Sequence, residues 1–183
     1  MIKPDHWIRA WGEDGGAEPF APAQVNAASY DVRVSDHWIC PTRDPEEFRA
    51  PHIKLFPGEV VLACTLEYVR IPRDVACDLK LKSTLGRLWI NHSMAGWCDP
   101  GFEGNITLEL QNLGPEPFVL DAGRRIAQLI FLGMASAPTV AYGEPGSGSH
   151  YQGQRGTTRA RAGETPTAPV DGNTAHEPRS PRS

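Results

Sequence analysis

The chain has 183 residues, of which 40% are hydrophobic and 22% charged, and a formal net charge of −4 at pH 7. That length accommodates one core and favours a single folded unit. The mild acidic balance gives no basic footprint for duplex nucleic acid or an anionic membrane, no apolar run approaches the roughly 18 residues of a membrane span, and the N-terminus MIKPDHWIRA lacks the apolar stretch of a signal peptide, so the sequence predicts a cytoplasmic protein with no nucleic-acid or membrane partner.

In chain order, PDHWIRAW near the N-terminus reads as a helix, and SYDVRV and EVVLACTLEYV read as strands. A short helical turn is expected at STLGR, followed by strands at LWINHS, NITLEL, PFVL and RIAQLIFL. The strand segments are rich in β-branched and aromatic residues and are separated by Gly, Pro and Asp. No helix of useful length lies between consecutive strands, so an all-β jelly roll or distorted barrel is predicted rather than βαβ units. The clearest strand is NITLEL: Ile106, Leu108 and Leu110 alternate with Asn105, Thr107, Glu109 and Gln111. One face is therefore core and the other polar, and Glu109 stands on the polar one.

Cys40, Cys64, Cys77 and Cys98 are widely spaced and form no C-x-x-C pair. They read as ordinary reduced thiols. The six histidines are scattered, and the H-x-E and P-C-x-x-C pattern of the zinc deaminases is missing, so no transition-metal site is predicted.

After Met134 no Leu, Ile, Phe, Trp or Met recurs, so this part is not expected to build core. The sequence divides as 1–141, a barrel; 142–162, with Tyr, Gln and Arg set among glycines, a segment able to close over a ligand or to serve as a linker; and 163–183, Pro-, Thr- and Ser-rich, a disordered tail.

Three polar clusters stand out. In KSTLGR, Ser83 and Arg87 share a face of a helical turn; structurally, Ser83 is an N-cap and Arg87 a surface cation. DPGFEG, from Asp99 to Gly104, is a strand-joining turn with Pro at its second position. Glu109 is either an exposed strand glutamate or a catalytic carboxylate.

The ordered pieces MIKPDHWIRA, AASYDVRV, PGEVVLACTLEYVRIPRDV, LKSTLGRLWI, MAGWCDPGFEGNITLEL, GRRIAQLIF and HYQGQRG together resemble the dCTP deaminase family of the dUTPase-like superfamily, over residues 1 to 160. The resemblance implies a β-barrel protomer, a homotrimer, and active sites built between neighbouring subunits. It places the catalytic glutamate at Glu109, the catalytic serine and arginine at Ser83 and Arg87, and the alanine whose backbone holds the attacking water at Ala95. Lys82, Ser83, Thr84, Leu85, Gly86 and Arg87 would meet the triphosphate and base, Asp99 the deoxyribose, and Thr107, Leu108 and Glu109 the cytosine edge. Tyr142, His150 and Gln154 would arrive with the closing segment.

The resemblance further implies Mg2+ carried on the nucleotide phosphates, with no protein ligand and no zinc. The implied reaction is hydrolytic deamination of dCTP to dUTP and ammonia, with one carboxylate moving the protons. YQGQRG is closer to the bifunctional members that continue to dUMP, and dCMP or a 5-modified cytosine is an alternative substrate. A dUTPase, or a silent nucleotide-binding regulator, is a further alternative, and dTTP is a candidate feedback inhibitor. Two positions depart from the family pattern: Trp89 stands where glycine is usual, and His150 where a phosphate-contacting lysine is usual.

Overall fold

A computed structural model describes residues 1–92 and 96–161. Ala95 and the 163–183 tail lie outside the described residues. The predicted first helix is α1 (Asp5–Trp11), with Asp5 in its first turn and Arg9 in its last, the charge order that suits a helix dipole. It buries Ile8 and Trp11, and the Trp11 ring meets Phe131 at 4.6 Å. The strands that follow are β1 (Ala17–Glu18), β2 (Tyr30–Arg33), β3 (His37–Ile39), β4 (Glu47–Arg49), β5 (His52–Leu55), β6 (Val60–Arg70) and β7 (Val75–Leu81). After α2 (Ser83–Arg87) come β8 (Ile90–His92), β9 (Trp97–Cys98), β10 (Glu103–Asn112), β11 (Phe118–Asp121) and β12 (Arg125–Gly133).

One sheet runs β4-β3-β6-β10-β8 with β1 also on β6, a second runs β2-β12-β7-β9, and β5 pairs with β11. All strand pairs are antiparallel. This is the expected all-β, jelly-roll type of fold. Tyr30, Trp38, Leu108, Leu110, Leu120 and Phe131 are almost fully enclosed at its centre. The four cysteines are buried free thiols.

The long strands β6, β10 and β12 fall where the alternation puts them. β1, β3, β4, β5, β7 and β9 were not expected, because each is short or, like VACDLKL, broken by charge. The segment after Met134 also does more than expected: Ala141 and Thr157 are buried, and Tyr142 packs edge-on against Phe102 at 5.7 Å. It adds no aliphatic core, but it is docked. Among the described residues no helix is long and apolar enough to cross a membrane.

The pairing of β6 with β10 frames everything below. Asn105 pairs with Tyr68, but Thr107 pairs with Cys64. β6 therefore carries two more residues than β10 at this point. Thr65 fills the slip: its hydroxyl accepts the Ile106 N–H at 2.8 Å and donates to the Glu67 carbonyl at 2.7 Å. Buried polar groups are thus satisfied locally.

Buried charge is paired as well. Glu67, fully enclosed, accepts from the Arg33 backbone at 2.8 Å, Arg33 Nε at 2.7 Å and Gln24 Nε2 at 3.1 Å. Glu59 is held by Arg43 Nη2 at 2.8 Å, Arg43 Nε at 3.0 Å, the Phe56 N–H at 2.9 Å and the Cys40 thiol at 3.1 Å. Burial of Glu59 opposes its ionisation, but the Arg43 guanidinium and the other donors outweigh it and bring its carboxyl down to about 2. A depressed folded-state value stabilises above the ordinary carboxyl range, and that stability is lost as pH falls through the depressed value. Arg43→Met should therefore cost about 1–3 kcal/mol at neutral pH. It should also flatten the loss of stability that urea unfolding of the wild type shows between about pH 5 and about pH 2.

Candidate active site

The alternation of β10 sends Leu108 inward, with no exposed surface, and Thr107 and Glu109 outward. On that outer face lies a cavity of about 440 Å3. β10 supplies Ile106, Thr107 and Glu109, the turn after β9 supplies Asp99 and Phe102, and the C-terminal segment supplies Tyr142, Tyr151, Gln154 and Thr158. Leu62, directly across the ladder from Glu109, completes the floor.

Glu109 sits in this cavity with one oxygen, Oε2, buried and without a hydrogen-bond partner among the described residues. Burial raises its carboxyl above the ordinary glutamate range, and a hydrogen bond from its own backbone works the other way. Of these two influences, burial prevails. A carboxyl so placed passes between neutral and charged forms more readily near neutrality than an exposed glutamate does. His92, on β8, brings Nδ1 to 3.8 Å from that oxygen.

The other walls are anchored piece by piece. Trp97 Nε1 donates to Asp99 Oδ1 at 3.0 Å. The C-terminal segment runs beside the start of β10, where a parallel bridge joins Gly104 to Gln154. Gly153 N–H donates to the Glu103 carbonyl at 2.8 Å, Asn105 N–H to the Gln154 carbonyl at 3.0 Å, and Thr158 N–H to Thr107 Oγ1 at 3.3 Å. Gly104 has φ +153, and a Cβ there would lie 2.9 Å from Gln154 Cγ, so a side chain would push the segment off. The Tyr142 hydroxyl accepts the Tyr151 N–H at 3.0 Å. These bonds bring Asp99, Thr107, Glu109, Tyr142 and Gln154, all expected from sequence, into one cavity.

Other expected residues stand elsewhere. Leu108 belongs to the core and can offer the cavity only its backbone. The residues 82–87 do not line this chain's cavity. In α2, Lys82 and not Ser83 is the N-cap residue, with no side-chain cap bond. Leu85 is buried, Ser83, Thr84, Gly86 and Arg87 are exposed, and Arg87 Nη1 reaches Ser83 Oγ at 3.3 Å. Lys82 Nζ is held 2.6 Å from Asp31 Oδ2, a buried carboxylate that Arg125 also approaches at 3.5 Å. Lys82 is thus already engaged within its own chain. His150 is exposed beside Tyr151, their rings 6.3 Å apart, and is not among the lining residues. Trp89 is the one non-glycine residue at positive φ, +62, among the described residues, and its ring is exposed.

Sequence reasoning missed Leu62, Trp97, Phe102, Ile106, Tyr151, Thr158 and Arg159, which line the cavity, and His92 beside Glu109. Trp97 had a local signal, standing two residues before Asp99; His92 had none, because only the β8–β10 ladder brings it to Glu109.

Comparison with known proteins identifies the family. A family model described as dCTP deaminase-like matches residues 2–134. A protein named dCTP deaminase, dUMP-forming, from Acidothermus cellulolyticus is 40% identical over 88% of this chain and 95% of its own. One of the same name from Bifidobacterium longum is 42% identical over 80% of this chain and 86% of its own. The crystal structure of 2'-deoxycytidine 5'-triphosphate deaminase from Agrobacterium tumefaciens shares the fold, with TM-score 0.60 and 23% identity over 71% of this chain and 48% of that chain. With a match that spans the barrel and relatives similar along most of their length, the chain belongs to the dCTP deaminase-like family.

Proposed function

We propose that this protein is a dCTP deaminase that carries its substrate on to dUMP, and that Glu109 is its proton shuttle. The observation that carries the reading is the Oε2 of Glu109, buried and without a hydrogen-bond partner among the described residues, in a cavity whose other walls offer hydroxyl, amide and carboxylate groups. As a water adds to C4 of cytosine, the Glu109 carboxylate takes its proton and delivers it to N3. A second proton, moved through the same group, reaches the amino nitrogen; the C4–N bond breaks, ammonia leaves, and C4 keeps the oxygen as a carbonyl. Asp99, fixed by Trp97, accepts from a sugar hydroxyl, and Gln154 and Tyr142 close the far side.

Hydrolysis then continues at the α-phosphorus: a second water attacks, the bond to pyrophosphate breaks, and dUMP forms. The sequence alone put dUTP first as product and dUMP second. The names of relatives about 40% identical now favour dUMP. Mg2+ is proposed to come bound to the phosphates, where it would offset their charge.

The remaining machinery is proposed to come from a neighbouring subunit of a homotrimer. Exposed Ser83 and Arg87, away from their own chain's cavity and beside exposed Leu88 and Trp89, support that reading. Incubation with dCTP and Mg2+, resolving nucleotides, ammonia and pyrophosphate, is expected to yield dUMP, ammonia and pyrophosphate in equal amounts. Accumulating dUTP would restrict the enzyme to deamination. Release of no ammonia would overturn the reading.

A further inference from the structure

His37 lies on β3, outside the cavity, yet it is where the C-terminal segment is fastened after it leaves β10. Its ring Nδ1 accepts the Thr157 backbone N–H at 3.1 Å, its backbone carbonyl accepts the Thr157 hydroxyl at 2.7 Å, and its Nε2 lies 3.0 Å from Glu47 Oε1. An amide N–H can only donate and a carboxylate can only accept. One protonation state alone satisfies both ring contacts: the neutral imidazole with its hydrogen on Nε2. The fit is close, since a Cβ on Gly156 would stand 2.9 Å from Nδ1. Thr157 itself is buried. On either side of it are Gln154, whose amide is tied to the Asn105 carbonyl at 2.6 Å, and Thr158, tied to Thr107. Both line the cavity.

We propose that His37 is a positioning residue for the cavity: in its neutral, Nε2-protonated form it holds Thr157, and through it Gln154 and Thr158, against β10, and protonation of the ring releases them. A proton added at Nδ1 would point a donor at the Thr157 donor, and the bond would be replaced by repulsion.

Charged groups face the ring from neighbouring elements. Glu47, on β4, lies 3.0 Å from Nε2. Arg49 sits opposite His37 in the β3–β4 register and pairs with Asp36, and Arg159 of the docked segment reaches Glu46 at 2.7 Å and Glu47 at 3.7 Å. From β6, the Cys64 thiol contacts the Ser35 hydroxyl at 3.0 Å, which in turn accepts the His37 backbone N–H at 3.2 Å. The latch is therefore present at the higher pH and lost as pH falls.

The test is hydrogen–deuterium exchange of the 152–161 segment in the full chain, corrected for the intrinsic rate at each pH. In the wild type, protection of the Thr157 amide is expected to drop roughly fivefold between about pH 8 and about pH 5.5. His37→Asn, whose Oδ1 can accept where Nδ1 does and cannot titrate, should keep its protection at both. His37→Phe should show low protection at both. A shared pH profile for wild type and His37→Asn overturns the proposal, as does full protection in His37→Phe or low protection in His37→Asn. Exchange is read without turnover, so this outcome is separate from that of the deaminase assay.

Discussion

Glu109→Gln is expected to lower turnover by at least about a hundredfold while leaving nucleotide affinity within a few fold of wild type. Glutamine keeps the shape and the dipole but has no site that takes a proton from water and gives it back. The barrel should tolerate the change, because Glu109 stands on the outer face of β10 and its Oε2 has no hydrogen-bond partner among the described residues. Removing a buried ionisable group can even stabilise, since the charged form is disfavoured there. In the wild type, the acidic limb of the pH profile of kcat/KM should lie above the ordinary glutamate range of about 4.3. The base form, needed for attack, is lost as pH falls through the raised value. Isothermal titration with dCTP on the variant and steady-state kinetics on both proteins check this; activity within a few fold of wild type would remove Glu109 from the mechanism.

Alternation is a local property, so Ile106, Leu108 and Leu110 fix the two faces of β10 by themselves and set Glu109 on the polar one. The roles of Glu109 and Asp99 were legible only through the family resemblance. Other parts of the site depend on pairs distant in sequence. Lys82 was expected at a phosphate, but its ammonium is held by Asp31, fifty-one positions away, through the neighbouring strands β2, β12 and β7. His37 meets Thr157 across 120 positions. No propensity or periodicity encodes such contacts; they follow only from strand order. The short strands were hidden for a similar reason, since two to four residues hold too few alternations to be read.

Ending the chain after Ala141 is expected to reduce turnover at least about a thousandfold and to leave the barrel folded. The large buried side chains, from Ile8 to Phe131, all precede that point. The thermal midpoint should accordingly stay within about 5 °C of the full chain. What is lost is a wall: Tyr142, Tyr151, Gln154 and Thr158 go together, and the face that holds Glu109 opens to bulk water. Water then competes for every hydrogen bond to substrate and lowers the cost of ionising Glu109. Calorimetry and the product assay on the shortened chain separate the two effects. Retained turnover would reduce the segment to a tether.

The slip between β6 and β10 also constrains how such a chain can change in length. The excess on β6 is two residues, an even number, so the odd-numbered positions Val61, Ala63, Glu67 and Val69 all turn inward on either side of it. An insertion or deletion of one residue there would exchange inside for outside along the rest of the strand. Repairing it through β10 instead would rotate Glu109 into the core and Leu108 into the cavity. Indels in this stretch should therefore survive selection in pairs, and a library that varies its length should return functional clones only at even offsets.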